Sequence, residues 1–310
     1  MGLSQIIIQK IFVMFLLALV GYICARIGII DPATNKKLST LALKLVSPML
    51  IFASYQIEYD PVIVKNLGIS FGLCAIAYVL QIGAALLLAR RGKRKDETYR
   101  LERLCLIFSN CGFFGIPLIE SLYGAEGTIY LTSFIAVFNI LLWAVGVPIL
   151  VGKVPVKEAL KNILSPAVIA TILGLILLLL RVRLPEIVME PIRMIGSMNT
   201  PFAMIAAGAT IAGTKLLPAV KNPRVYYMTF CKMLLIPGAA AFLFTRFSLD
   251  PLLVIVPILA VACPVAAACP MLAVLYDKDE QYSSQLLAVT TLISIVTIPL
   301  IFLLATQLGV

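Results

Sequence analysis

Apolar stretches of about twenty residues follow one another along almost the whole chain. About 20 apolar residues are what a helix needs to cross the hydrocarbon of a bilayer. Only helices and closed barrels satisfy their backbone hydrogen bonds there. On that scale the sequence holds ten spans, at residues 5–28, 36–56, 62–89, 102–123, 128–151, 163–181, 190–213, 225–246, 251–276 and 282–307. The expected fold class is therefore an all-α integral membrane protein. Composition agrees: 61% of the residues are hydrophobic and 13% charged, against roughly 25% charged in a soluble domain. Mean hydropathy is +1.05. The longest polar stretch, around Arg90 to Arg103, is too short for a separate soluble domain. The first stretch has no basic segment before it and is expected to be a transmembrane helix rather than a signal peptide. Ile6 stands where a myristoylation signal needs Ser or Thr.

Charge orients these spans. The loops joining spans 1–2, 3–4, 5–6, 7–8 and 9–10, counted with the span ends beside them, carry 17 of the 25 Lys and Arg residues; the alternate loops, counted likewise, carry 5. Positive loops stay cytoplasmic, so both termini are expected on the non-cytoplasmic side of the cell membrane. An odd number of spans would break this alternation. The net charge of +10 is thus a topology signal, and no nucleic-acid partner is expected. The basic run RRGKRKDETYR is a topology determinant first, with lipid headgroups as a lesser partner. The seven cysteines form no CxxC pair and fall in apolar segments, and the chain has no histidine. No disulfide framework, metal site or cofactor is expected.

Ten spans divide into five and five. Because five is odd, the two halves have opposite orientation, the inverted repeat of secondary transporters. A fixed offset of 153 residues supports duplication: it relates Pro48 to Pro201, Pro117 to Pro270, Leu122 to Leu275 and Tyr123 to Tyr276. The halves are expected at residues 1–152 and 153–310.

Spans 4 and 9 have helix breakers clustered at mid-span: SNCGFFGIPL from Ser109 and ACPVAAACPML from Ala262. Proline removes a hydrogen bond and clashes with the preceding turn, and freed backbone is tolerated in a membrane only against protein or a watery cavity. These spans are expected to be discontinuous and to meet inside the protein. Pro117 and Pro270 suit the first turn of a second half-helix. Two helix N-termini converging there make an anion site. The expected substrate-binding residues are Asn110, Cys111, Gly112, Gly115, Pro117, Cys263, Pro264 and Pro270. The alternative is a pair of kinks that serve packing alone. Asn139, Asn199, Thr200 and Ser47 either line the same cavity or bond across helices. Lys232, two turns into span 8, is a candidate for charge balance or coupling, or snorkels to the surface. Lys44 and Lys10 are expected to snorkel. Glu120 is the one acid near the break; it is expected to be water-exposed, with a coupling role as the alternative.

With these residues in place the sequence resembles the auxin efflux carrier family. The likeness is carried by SNCGFFGIPLIESLYG, VFNILLWAVG, TPFAMIAAGATIAG, KMLLIPG, ACPVAAACPMLAVLYD and TTLISIVTIPL, and covers essentially the whole chain. It implies a ten-helix inverted-repeat fold related to plant PIN carriers and bile-acid sodium symporters. In that fold the broken helices cross at the substrate site. Scaffold and transport parts, each drawn from both repeats of one intertwined membrane domain, move in an elevator-like cycle. Family members carry organic anions such as auxin, malate or other carboxylates. Asn110 looks like the family's crossover asparagine and Lys232 like its basic residue in span 8. Span 9 departs from many members, with Ala266, Ala267 and Ala268 where an asparagine is often found. The short loops resemble those of prokaryotic members.

The expected function is a secondary transporter of a small organic anion, a mono- or dicarboxylate. H+, Na+ or no coupling ion all remain open, as does a homodimer. The alternative is an anion-gated sensor or channel using the same pocket. No catalytic dyad is found, so the protein is not expected to be an enzyme.

Overall fold

The structure, a computed structural model, describes residues 3–90, 98–152, 164–214, 218–219 and 221–309. Most of the basic run, residues 91–97, and the seam expected just after Gly152 lie outside the described residues. Regular structure among the described residues is helical, with no strand. Six helical stretches are long and apolar enough to cross a membrane: Ile8–Arg26, Pro32–Ser54, Pro61–Leu88, Cys111–Val151, Pro223–Phe244 and Glu280–Gln307. Two shorter apolar helices are Pro166–Leu179 and Pro251–Ala262. The chain is a multi-pass membrane protein.

The helices are α1 (Leu3–Arg26), α2 (Pro32–Leu41), α3 (Ser47–Ser54), α4 (Pro61–Leu88), α5 (Thr98–Ile107), α6 (Ile116–Leu141) and α7 (Val147–Val151). They continue with α8 (Pro166–Leu179), α9 (Glu186–Ser197), α10 (Asn199–Gly213), α11 (Pro223–Phe230), α12 (Ile236–Phe244), α13 (Pro251–Ala262), α14 (Ala268–Leu275) and α15 (Glu280–Gln307). The stretch Cys111–Val151 has 41 residues, about 60 Å at ~1.5 Å per residue, twice the ~30 Å of hydrocarbon. It is interrupted inside α6 by Gly124, whose φ of 60° and ψ of −146° favour a residue without Cβ.

Helix starts follow a local rule. Asp31, Ser165, Asn222 and Asp250 each precede a proline and accept a hydrogen bond from a backbone N–H two or three residues on. The side chain caps an orphan donor, and proline at the first helical position has no N–H to waste. At Asp31, hydrogen bonds from Thr34 hold the carboxyl below the usual carboxylate range.

Four prolines act differently. Wide π-type turns occupy Ala42–Val46, Cys111–Gly115, Leu142–Gly146 and Cys231–Leu235. Each ends two residues before a proline: Pro48, Pro117, Pro148 and Pro237. A proline ring clashes with the carbonyl four residues back. The wide turn moves the bonding by one residue, so Ser47, Val147 and Ile236 donate to Ala42, Leu142 and Cys231. Pro117, just beyond a wide turn, is the second residue of α6 and so lies in its first turn. Pro270, the third residue of α14, likewise lies in a first turn.

The chain forms two compact units, each drawing segments from either side of residue 152. The first comprises Met1–Gly72, Gly112–Asn139 and Asn162–Gly213. Within it α1 packs along α10, and α3 packs on α8 and α9. The α1–α10 approach depends on glycine: a Cβ on Gly208 would lie 1.7 Å from the Ala18 carbonyl oxygen, and one on Gly21 would lie 2.1 Å from that of Ile205. The second unit comprises Leu73–Cys111, Ile140–Lys161 and Thr214–Val310. There α15 runs alongside α11, α12, α13 and α14.

Candidate functional site

Within the second unit, α5 ends at Ile107 and α13 at Ala262. Phe108–Asn110 and Cys263–Ala267 are not α-helical; Ser109 and Val265 pair as a single antiparallel bridge. The Asn110 amide donates to the Pro264 carbonyl at 2.8 Å, and the Ala266 amide to the Phe108 carbonyl at 2.9 Å. Proline forces this choice: Pro264 cannot donate, but its carbonyl can accept. The remaining freed groups find side chains. The Val265 amide donates to Thr290 Oγ1 at 3.1 Å, and Ser109 Oγ donates to the Val261 carbonyl at 3.2 Å. Burial without such partners would cost several kcal/mol per group.

Lys232 braces the bridge. It lies in the wide turn before Pro237 and is 1% exposed. Its Nζ donates to Ser109 Oγ at 2.7 Å, to the Leu106 carbonyl at 3.1 Å and to Gln81 Oε1 at 3.5 Å. Leu106 is in the last turn of α5, where orphan carbonyls and the helix dipole favour a cation. These partners are all neutral. The thiols of Cys105, Cys111, Cys263 and Cys269 lie within its electrostatic reach, but no carboxylate is among its partners. Lys232 therefore does not snorkel to the surface.

Asn110 is 8% exposed. Its backbone is committed to the bridge, while its side-chain amide makes no hydrogen bond among the described residues. A Cβ on Gly112, two residues on, would meet nothing within 4 Å, so there is open space beside the chain. Cys111, Cys263 and Pro264 are buried at the bridge, and Pro270 is buried in α14.

A clamp supports this arrangement. Glu102, buried in α5, accepts two hydrogen bonds from Arg224 of α11, both at 2.6 Å, and a third from the Tyr282 hydroxyl of α15 at 3.0 Å. The carboxylate ties together three elements of the second unit.

The other expected site residues belong to the first unit. The Ser47 hydroxyl, at the start of α3, donates to Asn199 Oδ1, at the start of α10, at 2.6 Å. Asn199 is buried, and its Nδ2 has no partner among the described residues. Glu120 is half-buried, with the Thr200 side chain close enough to act on its carboxyl. Asn139 turns its amide back on its own helix, donating to the Ile135 carbonyl at 2.8 Å. Gly112, Gly115 and Pro117 continue the chain from the bridge into this unit. The candidates thus sort into a bridge group around Asn110 and Lys232 and a second group around Ser47 and Thr200.

Sequence reasoning missed Gln81, Thr290 and the Glu102 clamp. Gln81 is a lone amide deep in an apolar run, which is the signal that could have found it. Glu102 and Arg224 are 122 residues apart and each reads as an ordinary charge at a helix end.

The sequence profile of a family described as membrane transport proteins matches residues 6–154 and 150–302. The chain is also similar to the uncharacterized transporter MJ1031 of Methanocaldococcus jannaschii, with 26% identity over 211 residues, covering 65% of this chain and 68% of the relative. The matched stretches take in both bridge segments, and the chain belongs to this membrane transport protein family, the auxin efflux carrier family.

Proposed function

We propose that this member is a secondary transporter of a small organic anion, a mono- or dicarboxylate, bound beside the Ser109–Val265 bridge. The observation that carries the reading is Lys232: a buried ammonium with only neutral partners, next to an asparagine whose amide is unbonded. A buried charge without a counter-charge is costly, and an arriving carboxylate supplies one. Free amide donors at Asn110 fit the same ligand. Sequence and helix pattern favour ten crossings in two inverted halves, residues 1–152 and 153–310. In this reading α5 with the Cys111 helix, and α13 with α14, are the discontinuous fourth and ninth spans. The transport part then moves against a scaffold in an elevator-like cycle. The protein lies in the cell membrane with both termini on the non-cytoplasmic side.

A thermal-shift screen of carboxylates on the purified protein, followed by counterflow in proteoliposomes, tests this. Stabilisation by particular carboxylates with saturable exchange is expected. Conductance without saturation or exchange defeats the carrier and favours an anion-gated channel.

A further inference from the structure

We propose that Gln81 is a further contact for the anion, and that an amide rather than a carboxylate at this position reserves Lys232 for the substrate; this rests on the transporter reading above. Gln81 lies on α4, fully buried, in the same unit as Lys232 and Ser109. Its Oε1 faces Lys232 Nζ at 3.5 Å and Ser109 Oγ at 3.3 Å. An ammonium only donates, so the atom facing it is the amide oxygen and the amide nitrogen points elsewhere. That nitrogen, Nε2, is buried with no partner among the described residues. A glutamine that served as a brace alone would have both ends bonded, because a buried donor without an acceptor costs stability. One end of Gln81 is engaged, and the other lacks an acceptor.

The bonding at Lys232 places that acceptor. The ammonium has three N–H donors. They go to Ser109 Oγ at 2.7 Å, the Leu106 carbonyl at 3.1 Å and Gln81 Oε1 at 3.5 Å. The bond to Gln81 is the longest of the three and sits beyond the usual range, so it is the one an anion replaces. The oxygen and nitrogen of an amide are under about 2.6 Å apart, the sum of its two bonds, so Nε2 lies within about 6 Å of Nζ. One carboxylate group spans that distance with charge-assisted bonds of about 2.8 Å to each nitrogen. Lys232 then gives up a long bond to a neutral oxygen for a short one to a charged oxygen. Gln81 Nε2 gains its acceptor, and Gln81 Oε1 keeps the Ser109 hydroxyl, shared with the Val261 carbonyl.

The same geometry sets the selectivity. A carboxylate built into position 81 would give Lys232 a permanent counter-charge and leave an arriving anion nothing to neutralise. The amide has the same shape and no charge, so the counter-charge comes from the ligand. A neutral ligand would leave the ammonium as unpaired as before.

The test uses the full chain, purified and in liposomes, with malate or whichever screened carboxylate stabilises the native protein most. Ligand-free unfolding is measured beside each titration. Gln81→Glu keeps the shape and adds the charge; it should bind the anion at least about thirtyfold more weakly. Its ligand-free melting temperature should hold or rise, because a buried ammonium gains a partner. Gln81→Met removes both ends of the amide and should bind about tenfold more weakly. Native affinity in Gln81→Met overturns the contact, and native affinity in Gln81→Glu overturns the selectivity; either result, with binding still lost in Lys232→Met, leaves the transporter reading standing. A ligand-free melting temperature that falls as far in Gln81→Glu as in Gln81→Met makes Gln81 a brace and overturns the proposal. No binding or exchange of any screened carboxylate by the native protein defeats the transporter reading and this inference with it.

Discussion

The Lys232 ammonium donates to the Ser109 hydroxyl at 2.7 Å, so a buried lysine touches the residue that pairs the two unwound segments. A charge so placed has two roles that mutation can separate. It closes the last turn of α5 through Leu106, and in the proposed reading it supplies a field for an incoming anion.

Lys232→Met removes the charge and keeps most of the stem's volume. Losing the charge relieves its desolvation but leaves the Leu106 carbonyl and the Ser109 hydroxyl without this donor, at about 1–3 kcal/mol for each buried group left unsatisfied, so the ligand-free melting temperature should fall. Anion affinity should fall by about 2–5 kcal/mol, the range for truncating one partner of a buried charge pair. Binding titration beside thermal unfolding measures both, and unchanged affinity removes Lys232 from the site.

Asn110→Ala should abolish anion binding while the protein stays folded. The side chain makes no bond that the fold needs, and the backbone bond to Pro264 survives the change. A lost hydrogen bond to a charged group is worth about 1.5–3 kcal/mol, at least tenfold in affinity. Thermal shift with and without the best-binding carboxylate checks this. A large drop in ligand-free stability would show that Asn110 is structural.

The Glu102 clamp gives the opposite pattern. Glu102→Ala leaves Arg224 and Tyr282 without their acceptor, and breaking a buried pair costs about 3–5 kcal/mol. Tyr282→Phe removes one neutral donor and should cost about 1 kcal/mol. Both losses should appear in unfolding of detergent-solubilised protein. A Glu102→Ala protein that melts with the native one would show that the clamp contributes nothing.

Gly208→Ala should prevent α1 and α10 from packing, because the new methyl would lie 1.7 Å from a backbone oxygen that cannot rotate away. Gly83→Ala, with nothing within 4 Å, is the matched control and should be tolerated, with up to about 1 kcal/mol of helix propensity in its favour. The yield of monodisperse protein after size exclusion distinguishes them.

Much of the bridge was legible in the sequence. Two clusters of breakers, SNCGFFGIPL and ACPVAAACPML, named the segments that unwind, and a lysine in an apolar span named the charge. What sequence lacked was the partner of each. Nothing in the chain says that Ser109 faces Val265 rather than Pro264, because one residue of register decides it. The wide turns were hidden for a different reason. Proline inside a span predicts an interruption, but α-helical kinks and wide turns satisfy the same steric rule; Pro257 and Pro299 sit inside α-helices. For Ser47 polarity left two readings open, lining the cavity or bonding across helices, and its hydroxyl does bond across to Asn199.

The bridge is built from main-chain atoms, and this bears on Ala266, Ala267 and Ala268. The chain at Ala266 contributes an amide to Phe108, a task any residue but proline performs. Ala267 and Ala268 are half-buried. At Ala266 the bridge is held by the main chain alone, so its side chain can change without loss of the bond to Phe108.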